Sequence, residues 1–169
     1  MKMITIDKGE TKYSDNRSIM IPSLNDVYEW NVKLSQTCWS QSQDFISRVC
    51  GIKMGLKEKK NSISIGWMPS PQQNTFIIYG CVYVWGQYAW YPLGNVRDNE
   101  DFNLLIARID ETKSEWDIVM DSEDNQSRRT IHFRDENFKH PSVWSFELNS
   151  NLGKGAATNL QFIYKERIN

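Results

Sequence analysis

The sequence predicts an all-β protein, an antiparallel β-sandwich of jelly-roll type folded as a single domain over residues 1–169. Three observations lead there. Almost every apolar segment is short, rich in β-branched or aromatic residues, and bounded by Gly, Pro, Asn, Asp or Ser. No window of useful length holds a 3.6-residue period, and the best helical candidate, Gln41–Val49, is short and poorly capped. About eleven such segments follow one another with turns between them and without linker, repeat or low-complexity tract. A domain of this length buries roughly 70% of the surface its unfolded chain exposes, so its core needs no staples.

In chain order the candidate strands are Met3–Asp7, Tyr28–Leu34, Phe45–Met54, Ser62–Met68, Thr75–Trp85, Tyr88–Leu93, Phe102–Asp110, Glu115–Met120, Arg128–Phe133, Val143–Leu148 and Asn159–Tyr164. Met68-Pro69-Ser70-Pro71, Trp85-Gly86-Gln87 and Asp121–Asn125 are breaks between them. Two strands differ from the rest. Thr75–Trp85 is apolar on both faces, which marks a strand covered on both sides. Period-two alternation puts Tyr79, Tyr83 and Trp85 on one of those faces. Ser62–Trp67 alternates cleanly, with Ile63, Ile65 and Trp67 on one face, while Ser62, Ser64 and Gly66 leave the other as thin as the floor of a groove.

Composition excludes several classes. The apolar share of 40% and charged share of 24% exclude a disordered chain. A formal charge of −1 gives no global attraction for a DNA or RNA duplex or an anionic membrane. No apolar run has signal-peptide or membrane-span length, so a cytoplasmic setting is expected: a host cytoplasm, or a phage particle if the chain is phage-encoded. Cys38, Cys50 and Cys81 have no ligand-type spacing, and His132 and His140 are the only histidines. We therefore expect no metal, no cofactor, and three reduced thiols acting as small buried hydrophobes.

What departs from average is the ring content: 7 Trp, 7 Tyr and 7 Phe. Trp67, Tyr79, Tyr83, Trp85, Tyr88, Trp90 and Tyr91 crowd into one stretch of the chain. Flat rings with a polar tip stack on sugar faces or nucleobases, or anchor a protein partner. Tyr88 and Trp90 share a face beside the Gly86 turn and are expected to be exposed. Arg128, Arg129 and Arg134 are expected on one sheet edge, where guanidinium forks hold phosphates or carboxylates. Lys57–Lys60 reads as a solvated hairpin tip. Gly153-Lys154-Gly155-Ala156 precedes a strand and is no phosphate loop.

Glu115-Trp116-Asp117-Ile118-Val119-Met120 is the sharpest catalytic lookalike, with Glu115 and Asp117 about 7 Å apart on one strand face. It resembles the Glu-x-Asp strand of retaining glycosidases on concanavalin-like sandwiches. Those enzymes carry a second glutamate two or three residues after the aspartate, as double displacement demands. Val119 and Met120 fill both places here, so the expected role is a half-exposed strand with solvated carboxylates. No Ser/His/Asp or Cys/His grouping is evident, and no catalytic residue is expected.

Ile6-Asp7-Lys8-Gly9, Arg48–Gly55, Asn61–Trp67, Ile78–Tyr83 and Gly153–Ala157 occur in an order that resembles a group of small β-sandwich proteins from Bacteroidota and their tailed phages. The resemblance covers most of the chain and implies a concanavalin-like sandwich in a phage or gut-bacterial setting. The chain departs from the group at Met68, where an arginine is usual, and at Lys59 and Lys60, where histidines are common. Its late Gly153–Ala157 turn also lacks a proline.

These readings converge on a non-enzymatic ligand-binding sandwich. Its expected partner is a glycan or other ring-bearing polar ligand, held by Trp67, Tyr79, Tyr83, Trp85, Tyr88, Trp90, Arg128 and Arg129. Two alternatives are a phage structural or assembly protein that forms homo-oligomers through its aromatics, and a phage protein that sequesters a nucleotide immune signal.

Overall fold

The computed structural model describes residues 2–6, 8, 27–35, 46–54, 61–72, 74–84, 86–110, 115–132, 141–147 and 160–168. Eleven strands run through them. They are β1 (Lys2–Ile6), β2 (Val27–Leu34), β3 (Ser47–Met54), β4 (Asn61–Pro69), β5 (Thr75–Val84) and β6 (Gln87–Arg97). The remainder are β7 (Asp101–Asp110), β8 (Glu115–Ser122), β9 (Gln126–His132), β10 (Pro141–Glu147) and β11 (Leu160–Ile168). All pairing is antiparallel, in a six-stranded sheet of order β1-β11-β2-β7-β8-β9 and a five-stranded sheet of order β10-β3-β4-β5-β6. The jelly-roll class of all-β sandwich is what the punctuation pattern predicts.

Alternation builds the core between the sheets. From the six-stranded sheet come Tyr28, Trp30, Val32 and Leu34 on β2, Phe102, Leu104 and Ile106 on β7, and Trp116, Ile118 and Met120 on β8. The five-stranded sheet answers with Ile63, Ile65 and Trp67 on β4 and Phe76, Ile78 and Val82 on β5. Trp67 meets Phe76 edge-on at 5.6 Å between ring centroids, and Tyr28 stacks on both Trp30 and Trp116. Between Ile78 and Val82 the inward position is Gly80, where an added Cβ would come within 3.1 Å of Ile118. A side chain there would need the end of Ile118 to give way by a few tenths of an ångström.

Two bulges break the alternation. In β3 the register slips between Arg48 and Cys50, leaving Val49 as the extra residue opposite β4. In β6 the pairings Ile78 with Gly94 and Tyr79 with Pro92 leave Leu93 as the extra residue. The hairpin between β5 and β6 turns at Gly86, whose φ of 84° is a left-handed conformation that glycine adopts without strain.

Several expectations need correcting. Trp67 is fully buried between the sheets and unavailable to a ligand, because it shares the inward face with Ile63 and Ile65. Where the poorly capped helical candidate overlaps the expected strand Phe45–Met54, at Ser47–Val49, the chain is strand, as the strand reading has it. β6 runs four residues beyond its expected end, because the bulge at Leu93 lets pairing continue to Arg97. Cys50 and Cys81 are buried free thiols, but only Cys50 belongs to the inter-sheet core. Trp85, Cys38, Arg134, His140, the Lys57–Lys60 tip and the Gly153–Ala157 turn lie outside the described residues.

Truncating Trp67 is expected to remove about 3–5 kcal/mol of stability, as for a large aromatic deleted from a packed interior. Trp90→Ala, at an exposed position, is expected to lose less than about 1.5 kcal/mol, the scale of one aromatic pair. Urea unfolding followed by far-ultraviolet circular dichroism measures both.

Candidate functional site

On the outer face of the five-stranded sheet, the register sets Ser62, Ser64 and Gly66 of β4 beside Tyr83, Cys81 and Tyr79 of β5. Those three in turn lie beside Tyr88, Trp90 and Pro92 of β6. The small residues form a floor, with Ser62, Ser64 and Cys81 each only 1% exposed. Rings stand along it in two pairs. Tyr79 and Trp90 meet edge-on at 5.5 Å between centroids, and Tyr83 and Tyr88 lie tilted at 4.7 Å. Tyr88 and Trp90 are exposed, Trp90 at 53%. Of the predicted ligand residues, then, the structure brings together Tyr79, Tyr83, Tyr88 and Trp90.

Arg48 also belongs to this face and was missed from the sequence. It pairs with Gly66 across β3 and β4, and its guanidinium carbon lies 5.7 Å from the Tyr83 ring centroid. The side chain is nearly buried. Strict alternation would send Arg48 inward with Cys50 and Ile52, and only the bulge at Val49 turns it out. An arginine beside the apolar Val49-Cys50 pair was the one available signal.

The chemistry of the floor follows from its burial. Tyr88 hydrogen-bonds the Cys81 sulfur. Burial pushes the Cys81 thiol up to about 11, against smaller opposing effects from the Tyr88 hydrogen bond and the Arg48 charge. Burial also raises Tyr88 well above the ordinary phenol range, and raises Tyr79. Both phenols and the thiol are therefore protonated at neutral pH, and Tyr88 donates its hydroxyl proton to the Cys81 sulfur.

The basic pair divides. Arg128 and Arg129 are consecutive on β9 and point to opposite faces, so they do not form the joint anion site expected of them. Arg128 forms an ion pair with Asp117 on the outer face of the six-stranded sheet. Arg129 lies over the Tyr91 ring, 4.7 Å from its centroid. The Glu115-x-Asp117 motif is likewise occupied by its neighbours. Asp117 is only 3% exposed and accepts a 2.7 Å hydrogen bond from Thr130, which corrects the expectation of a solvated carboxylate. Glu115 lies 3.2 Å from His132 Nδ1. Among the described residues no cluster of His, Cys, Asp and Glu is arranged to hold a metal ion, and no helix is long and apolar enough to cross a membrane.

No protein-family model and no curated sequence matches the chain. Solved structures do. The PL-14 alginate lyase from Aplysia kurodai aligns over 97% of this chain and 80% of its own, with a TM-score of 0.54 at 13% identity. The alginate lyase Aly36B aligns over 97% of this chain and 78% of its own, with a TM-score of 0.60 at 11% identity. Basic winged bean lectin, solved with Tn-antigen, aligns over 98% of this chain and 86% of its own, with a TM-score of 0.51 at 11% identity. At these identities the likeness is one of fold.

The lyases overturn the expectation of a protein that is not an enzyme. That expectation rested on the lack of a Ser/His/Asp or Cys/His grouping and on a missing glutamate in the Glu115 strand, which bears on glycoside hydrolysis by paired carboxylates. A lyase eliminates rather than hydrolyses, so the missing glutamate does not speak against it.

Cys81 is expected to resist alkylation by iodoacetamide at pH 8 in the folded protein and to react increasingly as pH rises toward 11. In urea it should react readily at pH 8. Mass spectrometry of the peptide carrying Cys81 reads both.

Proposed function

We propose that the chain binds a polysaccharide across the outer face of its five-stranded sheet, with Trp90 and Tyr88 as the stacking platform. One observation carries the reading: Trp90 is 53% exposed yet fixed edge-on against Tyr79, so its open face is presented to solvent on a rigid strand. A ring ordered in advance loses little conformational entropy when a sugar stacks on it. The protonated phenol of Tyr79 supplies a donor for a sugar oxygen, and the Tyr88 oxygen, its proton given to Cys81, supplies an acceptor. Arg48, nearly buried beside Tyr83, adds positive charge beneath this face, which favours an acidic polysaccharide over a neutral one. The alginate lyases and the lectin that share this fold are consistent with a sugar ligand.

Elimination of a uronate chain is a second reading, favoured by the placement of Tyr88. In that reaction a base takes the C5 proton, the C4–oxygen bond breaks, a C4–C5 double bond forms, and the leaving oxygen takes up a proton. Tyr88 stands exposed on the outer face, where its phenol can reach that leaving oxygen and hand it a proton.

Titration calorimetry with alginate oligosaccharides and with neutral glucans of equal length tests the binding reading. The acidic oligosaccharides are expected to bind, and Trp90→Ala to weaken them about tenfold with the fold intact. Binding unchanged by Trp90→Ala would sink it. The elimination reading requires ultraviolet absorbance from the unsaturated product, lost in Tyr88→Phe.

A further inference from the structure

A second opening lies at the edge of the sandwich. β6 and β9 are the outermost strands of their sheets, and they face each other where the layers end. Between them is a cleft of about 470 Å³. That volume falls in the range of small-molecule sites. Val82, Val84, Ala89 and Ile131 give it an apolar floor, continuous with the inter-sheet core through Val82 and Ile131. Its polar lining includes Arg129 and His132.

The charges around this cleft are unequally engaged. His132 lies against Glu115, and Asp117 is held by Arg128 and Thr130. Arg129 is exposed, lies on the Tyr91 ring, and forms no ion pair with a carboxylate among the described residues. The guanidinium is covered from one side by the Tyr91 ring. Its N–H edge stays available as a fork of the shape a carboxylate fits.

We propose that this cleft is a binding site for a small organic carboxylate with an apolar body. The body lies on Val82, Val84, Ala89 and Ile131, and the carboxylate pairs with Arg129. An apolar floor without a cation would not select a charge, and a surface arginine without the floor would hold an anion only weakly. The cleft combines the two. This site is separate from the aromatic face, although Tyr88 borders both.

The test uses 2-naphthoate as probe and 2-naphthamide as its neutral control, with affinities from amide chemical-shift titration of the full chain. Naphthoate is expected to bind more tightly than the amide and to shift signals at Ala89 and Ile131. Arg129→Gln is expected to weaken naphthoate roughly tenfold or more while leaving the amide unchanged. Ala89→Phe, which fills the floor, should weaken both probes, and Trp90→Ala should affect neither. Thermal unfolding confirms that each variant is folded. Equal affinity for the two probes, or naphthoate binding indifferent to Arg129→Gln, overturns the assignment. Loss of naphthoate binding in Trp90→Ala would place the ligand on the aromatic face and overturn it equally.

Discussion

The aromatic face depends on two interruptions of strand periodicity. In an unbroken strand, residues an even number apart share a face, so Arg48 would point inward with Cys50 and Ile52. By the same count Trp90 would share the inward face with Val96. The bulges at Val49 and Leu93 each insert one residue and reverse the parity. Arg48 and Trp90 emerge on the outer face while Cys50, Ile52 and Val96 remain in the core. A slip of one residue on either strand would exchange these sets, burying a guanidinium or exposing the core.

That dependence explains what the sequence reveals and what it hides. Strand existence is legible because punctuation and β-branched content are local. All eleven candidate segments correspond to strands, with ends that shift by a few residues. The floor of Ser62, Ser64 and Gly66 beneath Tyr79 and Tyr83 is legible because β4 and β5 alternate without interruption over that stretch. Trp67 is misread for a different reason. Proximity in sequence to other rings says nothing of face, and its own strand pattern already grouped it with Ile63 and Ile65. Arg48 is hidden because a charge beside the apolar Val49-Cys50 pair is a weak mark, and nothing else in Arg48-Val49-Cys50 announces a bulge.

Consecutive charges on a strand give a related lesson. Arg128 and Arg129 look like one basic cluster, yet pleating directs them to different layers of the molecule. Arg128 neutralises the buried Asp117 and so belongs to the structure of the six-stranded sheet. A carboxylate buried to this degree needs both its ion pair and its hydrogen bond, because an isolated buried charge is strongly unfavourable. Arg129 has no such obligation. It reaches across the open edge to Tyr91, and the contact ties β9 to β6 where no backbone pairing joins the sheets.

β6 is the element on which these features meet. As the last strand of its sheet it has one neighbour, β5, and its outward residues escape the crowding that buries Tyr79 and Cys81 one strand further in. Edge position therefore accounts for the exposure of Tyr88 and Trp90, and hydrogen bonding and ring packing account for their order. Tyr88 is fixed by Cys81 and Tyr83, and Trp90 by Tyr79. On its inward side the same strand contributes Ala89 and Tyr91, one small and one large. The small residue opens the lateral cleft, while the large one supports Arg129 above it. One edge strand thus presents rings to the outer face and a lined opening to the flank, because alternation gives it two unlike sides and the edge leaves both accessible.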